Sequence, residues 1–125
     1  MIGYVTLGTA DLERAGGFYD AVFGVIGASR LYKTERLIAW GTGMGKPAVC
    51  VTLPYDEQAA SVGNGVMVGL TMDDSAQVQA VYDKAIELGA TCEGPPGPRG
   101  ESGFYGGYFR DLDGNKLLAF HFGAK

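Results

Sequence analysis

Gly103-Phe-Tyr-Gly-Gly-Tyr-Phe-Arg-Asp-Leu-Asp-Gly-Asn-Lys-Leu-Leu-Ala-Phe120 is the stretch on which the reading of this chain turns. Two apolar, aromatic-rich runs flank Asp113-Gly114-Asn115, and these three residue types adopt left-handed backbone conformations at little cost. The segment therefore predicts a strand over Gly103–Arg110, a tight turn, and a returning strand over Lys116–Phe122. Asp111 and Asp113 form a carboxylate pair, but beside a turn Asp is favoured for bonding the local backbone, so both are read as structural. The closing strand carries no carboxylate.

Working outward toward the N-terminus, Gly94-Pro-Pro-Gly-Pro-Arg-Gly-Glu-Ser-Gly103 has no hydrophobic anchor and reads as an exposed loop, with Arg99 its one cation. Before it come a short strand, Thr91–Glu93, and a helix marked by Val78, Val81, Tyr82, Ala85, Ile86 and Leu88. Asp73-Asp74-Ser75 is its cap signal and Gly89 its stop. Val66–Thr71 is a strand. The polar, small-residue stretch Pro54–Gly65 then separates this half from an earlier one with the same order. That half has a strand over Ile2–Leu7, cap residues Thr9-Ala-Asp11, and Leu12, Ala15, Phe18, Tyr19, Val22 and Phe23 at helical spacing. Strands follow at Ala28–Thr34, Arg36–Trp40 and Ala48–Leu53. Gly16-Gly17 is a weak point in the first helix, for which close approach of a neighbouring backbone is one explanation.

Laid on itself, the chain repeats. Val5 meets Val68, Leu7 meets Leu70, Asp11 meets Asp74, and Tyr19-Asp20 meets Tyr82-Asp83; farther along, Trp40 meets Phe109 and Gly45 meets Gly114. The expected fold class is α+β, two βαβββ modules produced by internal duplication. One domain spans 1–125, with module one at about 1–55, a linker at about 56–64 and module two at about 65–125. A module of that size buries too little surface to stand alone, so the two should share a core.

Composition sets outer limits. The 46% hydrophobic content of the 125 residues suits an ordinary globular core, and a net charge of −4 with no Lys/Arg run speaks against nucleic-acid or membrane partners. No apolar run reaches membrane-spanning length, and the opening Met-Ile-Gly-Tyr-Val lacks a signal-type pattern, so the cytoplasm is the expected location. Cys50 and Cys92 have no metal-type spacing and read as two buried, inert thiols. Gly41-Thr-Gly-Met-Gly-Lys46 lacks the spacing of a phosphate-binding loop and is a turn.

Tyr4-Val-Thr-Leu-Gly-Thr-Ala-Asp-Leu-Glu-Arg14, Phe18-Tyr-Asp-Ala-Val-Phe-Gly24 and Arg110-Asp-Leu-Asp-Gly-Asn-Lys116, in a duplicated βαβββ chain, resemble the vicinal oxygen chelate superfamily of glyoxalases, bleomycin resistance proteins and extradiol dioxygenases. The resemblance covers almost the whole chain. It implies a curved, cup-shaped mixed sheet with helices outside, a ligand or metal site in the cup, and a homodimer. It also implies metal ligands where this chain has Tyr4 (typically His or Gln), Met67 (His) and Leu118 (Glu), and sometimes a fourth near Val49–Val51. None of these is a good donor to a hard divalent ion. His121 lies three residues beyond Leu118, so its side chain should point to the opposite face, and a second copy would bring the same substitutions. Glyoxalase I and extradiol dioxygenase chemistry is therefore not expected, and neither a metal nor another cofactor is.

Strand alternation puts Tyr4 and Thr6 on one face and Val5 and Leu7 on the other. With Val and Leu under the helices, Tyr4, Thr6, Met67 and Leu118 line the cup, and Trp40, Tyr105, Tyr108 and Phe109 lie on its walls, only some pointing inward. Arg99 would sit at the mouth. The expected function is metal-independent binding of a small aromatic or cationic organic molecule. Two alternatives stand beside it: a metal-free lyase or isomerase using Tyr4 as acid or base, and a non-catalytic interaction module whose cup is filled by its own side chains.

Overall fold

A computed structural model describes residues 1–123; the last two residues assigned to module two lie outside the described residues. The helices form where caps and periodicity place them. Helix α1 (Leu12–Gly24) begins at Asp11, whose carboxylate accepts from the Arg14 amide, and α2 (Ser75–Glu87) begins at Asp74, which accepts from the Gln77 amide. Each cap satisfies an amide that has no partner within the helix.

Around α1 lie β1 (Tyr4–Gly8), β2 (Ser29–Lys33), β3 (Leu37–Gly41) and β4 (Ala48–Thr52), ordered β1-β4-β3-β2. Around α2 lie β5 (Val68–Thr71), β6 (Thr91–Pro98), β7 (Phe104–Arg110) and β8 (Lys116–Phe122), ordered β5-β8-β7-β6. In each sheet the first strand pairs in parallel with the last and the other pairs are antiparallel, so the duplication holds at the level of topology. The strands of the expected cup thus come as two four-stranded mixed sheets, one from each module, with β1 and β5 each at an edge.

Strand β6 differs from the sequence reading. Gly94–Pro98, expected in a loop, continues the strand as far as the Pro98↔Tyr105 pair, with register irregularities around Gly94. Proline cannot donate to a ladder, but β6 is an edge strand, where an outward-facing amide has no partner to lose. Only residues 99–103 connect the strands, closed by the Arg99 amide donating to the Phe104 carbonyl at 2.8 Å.

A continuous core runs through both modules: Phe18, Tyr19, Val22, Phe23, Ile38, Trp40 and Val51 from one, Val78, Val81, Ala85, Phe109, Leu117 and Ala119 from the other. The three segments carrying the family resemblance are bonded together beside this core. The Thr9 hydroxyl donates to Asp113 Oδ2 at 2.6 Å, and the Ala10 amide and Arg14 Nη2 donate to Asp113 Oδ1, each at 3.0 Å. The Asn115 amide group donates to the Gly8 carbonyl at 2.9 Å, and the Tyr19 hydroxyl donates to the buried Asp111 carboxylate at 2.6 Å. Asp111 in turn holds its own turn through the amides of Asp113 and Asn115. Gly114, at φ +90°, supplies the left-handed residue the turn requires.

Gly16 is explained by side chains rather than by a neighbouring backbone. A Cβ there would stand 2.8 Å from Arg30 Nη2 and 3.1 Å from Ile38 Cδ1. Arg30 occupies that place because it forms a two-point pair with Asp20, at 2.9 Å on each bond, 5.9 Å from the Trp40 ring. Cys50 is buried as expected, whereas Cys92 is exposed, because it lies on the edge strand β6.

Candidate functional site

Each sheet turns one face to the core, leaving a second face of opposite strand parity. On the first sheet Val51, Ile38 and Trp40 enter the core, so Tyr4, Thr6, Ala39 and Cys50 share the other face. A cavity of about 610 Å³ opens there, floored by Ala39 and Cys50 and walled by Tyr4, Leu31, Tyr32, Leu37 and Met44. Thr6 pairs in register with Cys50 but does not line the cavity. Lys46 is the only side chain with formal charge in the lining, and no carboxylate or imidazole is present. Tyr4 is 66% exposed, and its hydroxyl has no hydrogen-bond partner among the described residues.

On the second sheet Phe109, Leu117 and Ala119 enter the core, which leaves Phe104, Gly106, Tyr108, Lys116, Leu118, Phe120 and Phe122 on the opposite face. Phe104 and Phe120 stack at 5.5 Å with 13° between their planes, and Phe122 meets Phe104 edge-on at 5.9 Å. Leu118 is buried against the sheet because Gly106 has no side chain; a Cβ at that position would come within 2.8 Å of Leu118 Cδ1. Arg99 is held by the carbonyls of Pro95, Gly97 and Pro98 at 2.6, 3.1 and 3.4 Å, and its guanidinium carbon lies 5.5 Å from the Tyr108 ring centroid. Lys116 Nζ lies 5.5 Å from the same centroid.

The sequence candidates divide accordingly. Tyr4 and Thr6 are on the non-core face of the first sheet, and Tyr108, Leu118 and Arg99 on that of the second. Met67 precedes β5 and borders a different cavity, of about 440 Å³, with Val5, Ile26 and Val49. The cavity beside Tyr4 therefore joins it to neither Met67 nor Leu118. Trp40 is a core residue, not a wall of the site: it is 1% exposed, packs on Tyr19 and Phe23, and donates Nε1–H to Asp20 at 2.8 Å. Tyr105 and Phe109 also lie on the core side of β7, where Tyr105 is partly buried against the core. Lys116, Phe120 and Phe122 were overlooked as site residues, although alternation from Leu118 places all three beside it. Leu31 and Tyr32 depend on a register shift between Arg30 and Tyr32, for which the sequence carries no clear signal.

Among the described residues no three His, Cys, Asp or Glu side chains form a group able to hold a metal ion. His121 projects to the core side, with Nδ1 3.2 Å from the Met72 carbonyl. The positions where the resemblance implies ligands offer a phenol, a thioether and an alkyl group, which do not fit a hard divalent ion. No helix is long and apolar enough to cross a membrane among the described residues.

The model of the Glyoxalase/Bleomycin resistance protein/Dioxygenase superfamily matches residues 1–118. The chain belongs to that superfamily. A glyoxalase/bleomycin resistance protein from Albidiferax ferrireducens T118 is 34% identical, with 97% of this chain and 98% of that one covered at a TM-score of 0.88. Two more distant likenesses show the superfamily's fold alone. Fosfomycin resistance protein FosX from Mesorhizobium loti is 22% identical over 99% of this chain and 92% of that one, at 0.70. Lactoylglutathione lyase from Agrobacterium tumefaciens is 23% identical over 97% and 92%, also at 0.70. None of the curated proteins matches the chain.

Proposed function

We propose that this superfamily member binds a small, flat, aromatic organic molecule without a metal ion, on the non-core faces of its sheets. The observation that carries the reading is the cavity of about 610 Å³, whose lining side chains are aliphatic, sulfur-bearing and aromatic except for Lys46. Its size lies within the range of small-molecule sites, and a rigid aromatic wall such as Tyr4 or Tyr32 favours a planar ligand. The aromatic arm of the expectation is preferred over the cationic one, since the lining holds no carboxylate to receive a cation. An acid–base role for Tyr4 has no such support, because its ring is largely exposed and its hydroxyl has no hydrogen-bond partner among the described residues.

The working unit in this reading is a homodimer. Tyr4, Tyr32, Met67 and Phe122 are 66%, 61%, 41% and 64% exposed in the single chain, apolar surface that a second copy would cover. A thermal-shift screen with planar aromatic compounds tests the binding reading, with Ala39→Phe as the control that fills the cavity floor. Stabilisation of the wild type that disappears in Ala39→Phe is the expected result. No stabilisation across a broad set, or stabilisation unchanged by the substitution, would refute it. Sedimentation equilibrium tests the assembly, and a monomer at micromolar concentration would remove the dimer.

A further inference from the structure

The chain has 14 carboxylates to 10 Lys and Arg residues, yet the faces proposed to bind are basic. Lys46 is the charged side chain of the cavity on the first sheet. On the second sheet Lys116, Arg99 and Arg110 share the non-core side with Tyr108, and the one carboxylate among them, Glu93, is taken by Arg110 at 3.6 Å. The other acids of the module lie on α2 and its approach, in the turn that binds module one, and at Glu101 in the connection after β6.

We propose that the non-core face of the second sheet takes an aromatic anion, and that Arg99 and Lys116, gathered on Tyr108, receive its carboxylate, phosphonate or phosphate group. This rests on the reading of the non-core sheet faces as aromatic-binding surfaces and names the chemical class of ligand for the second of them. Three features of the geometry carry it. Neither Arg99 nor Lys116 forms a salt bridge among the described residues, so no described carboxylate pairs with their charge. Arg99 is fixed in place by three backbone carbonyls that neutralise nothing, and its Nε–H makes no hydrogen bond among the described residues. A guanidinium held in advance loses little freedom when an anion arrives. Finally, the Phe104–Phe120 stack and Leu118 lie on the same face of the same strands, so a molecule with an acid group at Tyr108 would rest its ring on an apolar surface. Placing two cations about one ring without an acid is otherwise unfavourable, and a bound anion relieves it.

Matched probes test this with the full chain. Naphthalene-2-carboxylate and naphthalene-2-phosphonate are titrated by calorimetry against naphthalene-2-carboxamide and naphthalen-2-ylmethylammonium, for the wild type, Lys116→Gln and Arg99→Gln. Either acid should bind at least roughly tenfold more tightly than the amide, the advantage expected of one charge-assisted hydrogen bond. The comparison of the two acids tells a carboxylate site from a phosphonate one. In Lys116→Gln the acid should lose about tenfold while the amide is unchanged, and raising the salt concentration should weaken only the acid. Lys116 is half-buried and bonds no backbone group, so its variant should fold; thermal unfolding of both variants checks this, since Arg99 also staples the end of β6. Equal binding of acid and amide, preference for the ammonium, or an equal loss of acid and amide in Lys116→Gln would overturn the anion assignment while leaving the aromatic site in place. Failure of all four probes would instead count against the aromatic site, and the anion assignment would fall with it.

Discussion

Replacing Tyr19 by Phe tests the claim that the two modules are joined by a small set of buried polar contacts. The Tyr19 hydroxyl, on α1, donates to Asp111 Oδ2 at 2.6 Å, the turn before β8. The ring lies among Phe18, Phe23 and Trp40 at centroid distances of 4.9, 5.0 and 5.5 Å, and Phe would keep all of these contacts, so no cavity term enters. What is lost is one hydrogen bond to a charged acceptor in a site where both side chains are nearly inaccessible to water, 1% and 5% exposed. Such bonds contribute about 1.5–3 kcal/mol. Asp111 keeps the amides of Asp113 and Asn115 on Oδ1 and the Asn115 side chain on Oδ2, so the carboxylate is not orphaned and the lower part of that range applies, about 2 kcal/mol. Urea unfolding should show a lower midpoint at an unchanged slope.

The same pair has a signature in pH. Burial, and then the Asp111 charge, raise the Tyr19 phenol well above its usual 10.0. The folded state therefore retains a proton that the unfolded chain releases, and the contribution is complete below pH 10.0 and lost as the pH climbs toward the folded value. Tyr19→Phe should flatten this alkaline decline, leaving the smaller part due to Tyr82, which its hydrogen bond to Cys92 and then burial push up to about 12. A loss under about 0.5 kcal/mol, or an alkaline limb identical to that of the wild type, would refute the assignment of Tyr19–Asp111 as a main joint between the modules.

Two further substitutions probe the first module. Gly17→Ala should stabilise the protein by roughly 1 kcal/mol, because Gly17 is exposed within α1 and a Cβ there meets nothing within 4 Å; a null or negative change in urea midpoint would contradict it. Asp20→Asn should cost at most about 1 kcal/mol at neutral pH, since the Arg30 pair is largely exposed. The hydrogen bond from Arg30, with a smaller one from Trp40, holds Asp20 below its usual 3.8 against the opposing effect of burial. Its contribution is thus present above pH 3.8 and lost as pH falls through the folded value, and acid titration of Asp20→Asn should lack that component.

Local chemistry explains what the sequence disclosed. The caps Asp11 and Asp74, the helical spacing and the turn at Gly114 all act within a few residues, and each forms as read. Strand β6 was hidden because the cost of proline depends on whether a strand lies at an edge, which is a property of the whole sheet. Trp40 was misplaced because alternation fixes which residues share a face without saying which face is covered; the rings of Tyr19 and Phe23 on α1 decide that. The structural role of Asp111 and Asp113 was legible, but their partners Tyr19, Thr9 and Arg14 lie in the other module, where no local pattern points to them.

The parity that displaces Trp40 also joins the two departures of this chain from metal-binding chemistry. Lys116 and Leu118 are successive residues on one face of β8, and Leu118 stands where the superfamily resemblance implies a carboxylate. Loss of that carboxylate alone would leave a neutral, apolar floor. With Lys116 beside it and Arg99 fixed on Tyr108, the face presents positive charge, which opposes a divalent cation and attracts an anion by the same Coulomb interaction. Restoring Glu at Leu118 would therefore not recover a metal site. The new carboxylate would pair with Lys116, and neither Tyr4 nor Met67 would supply the other strong donors such an ion needs.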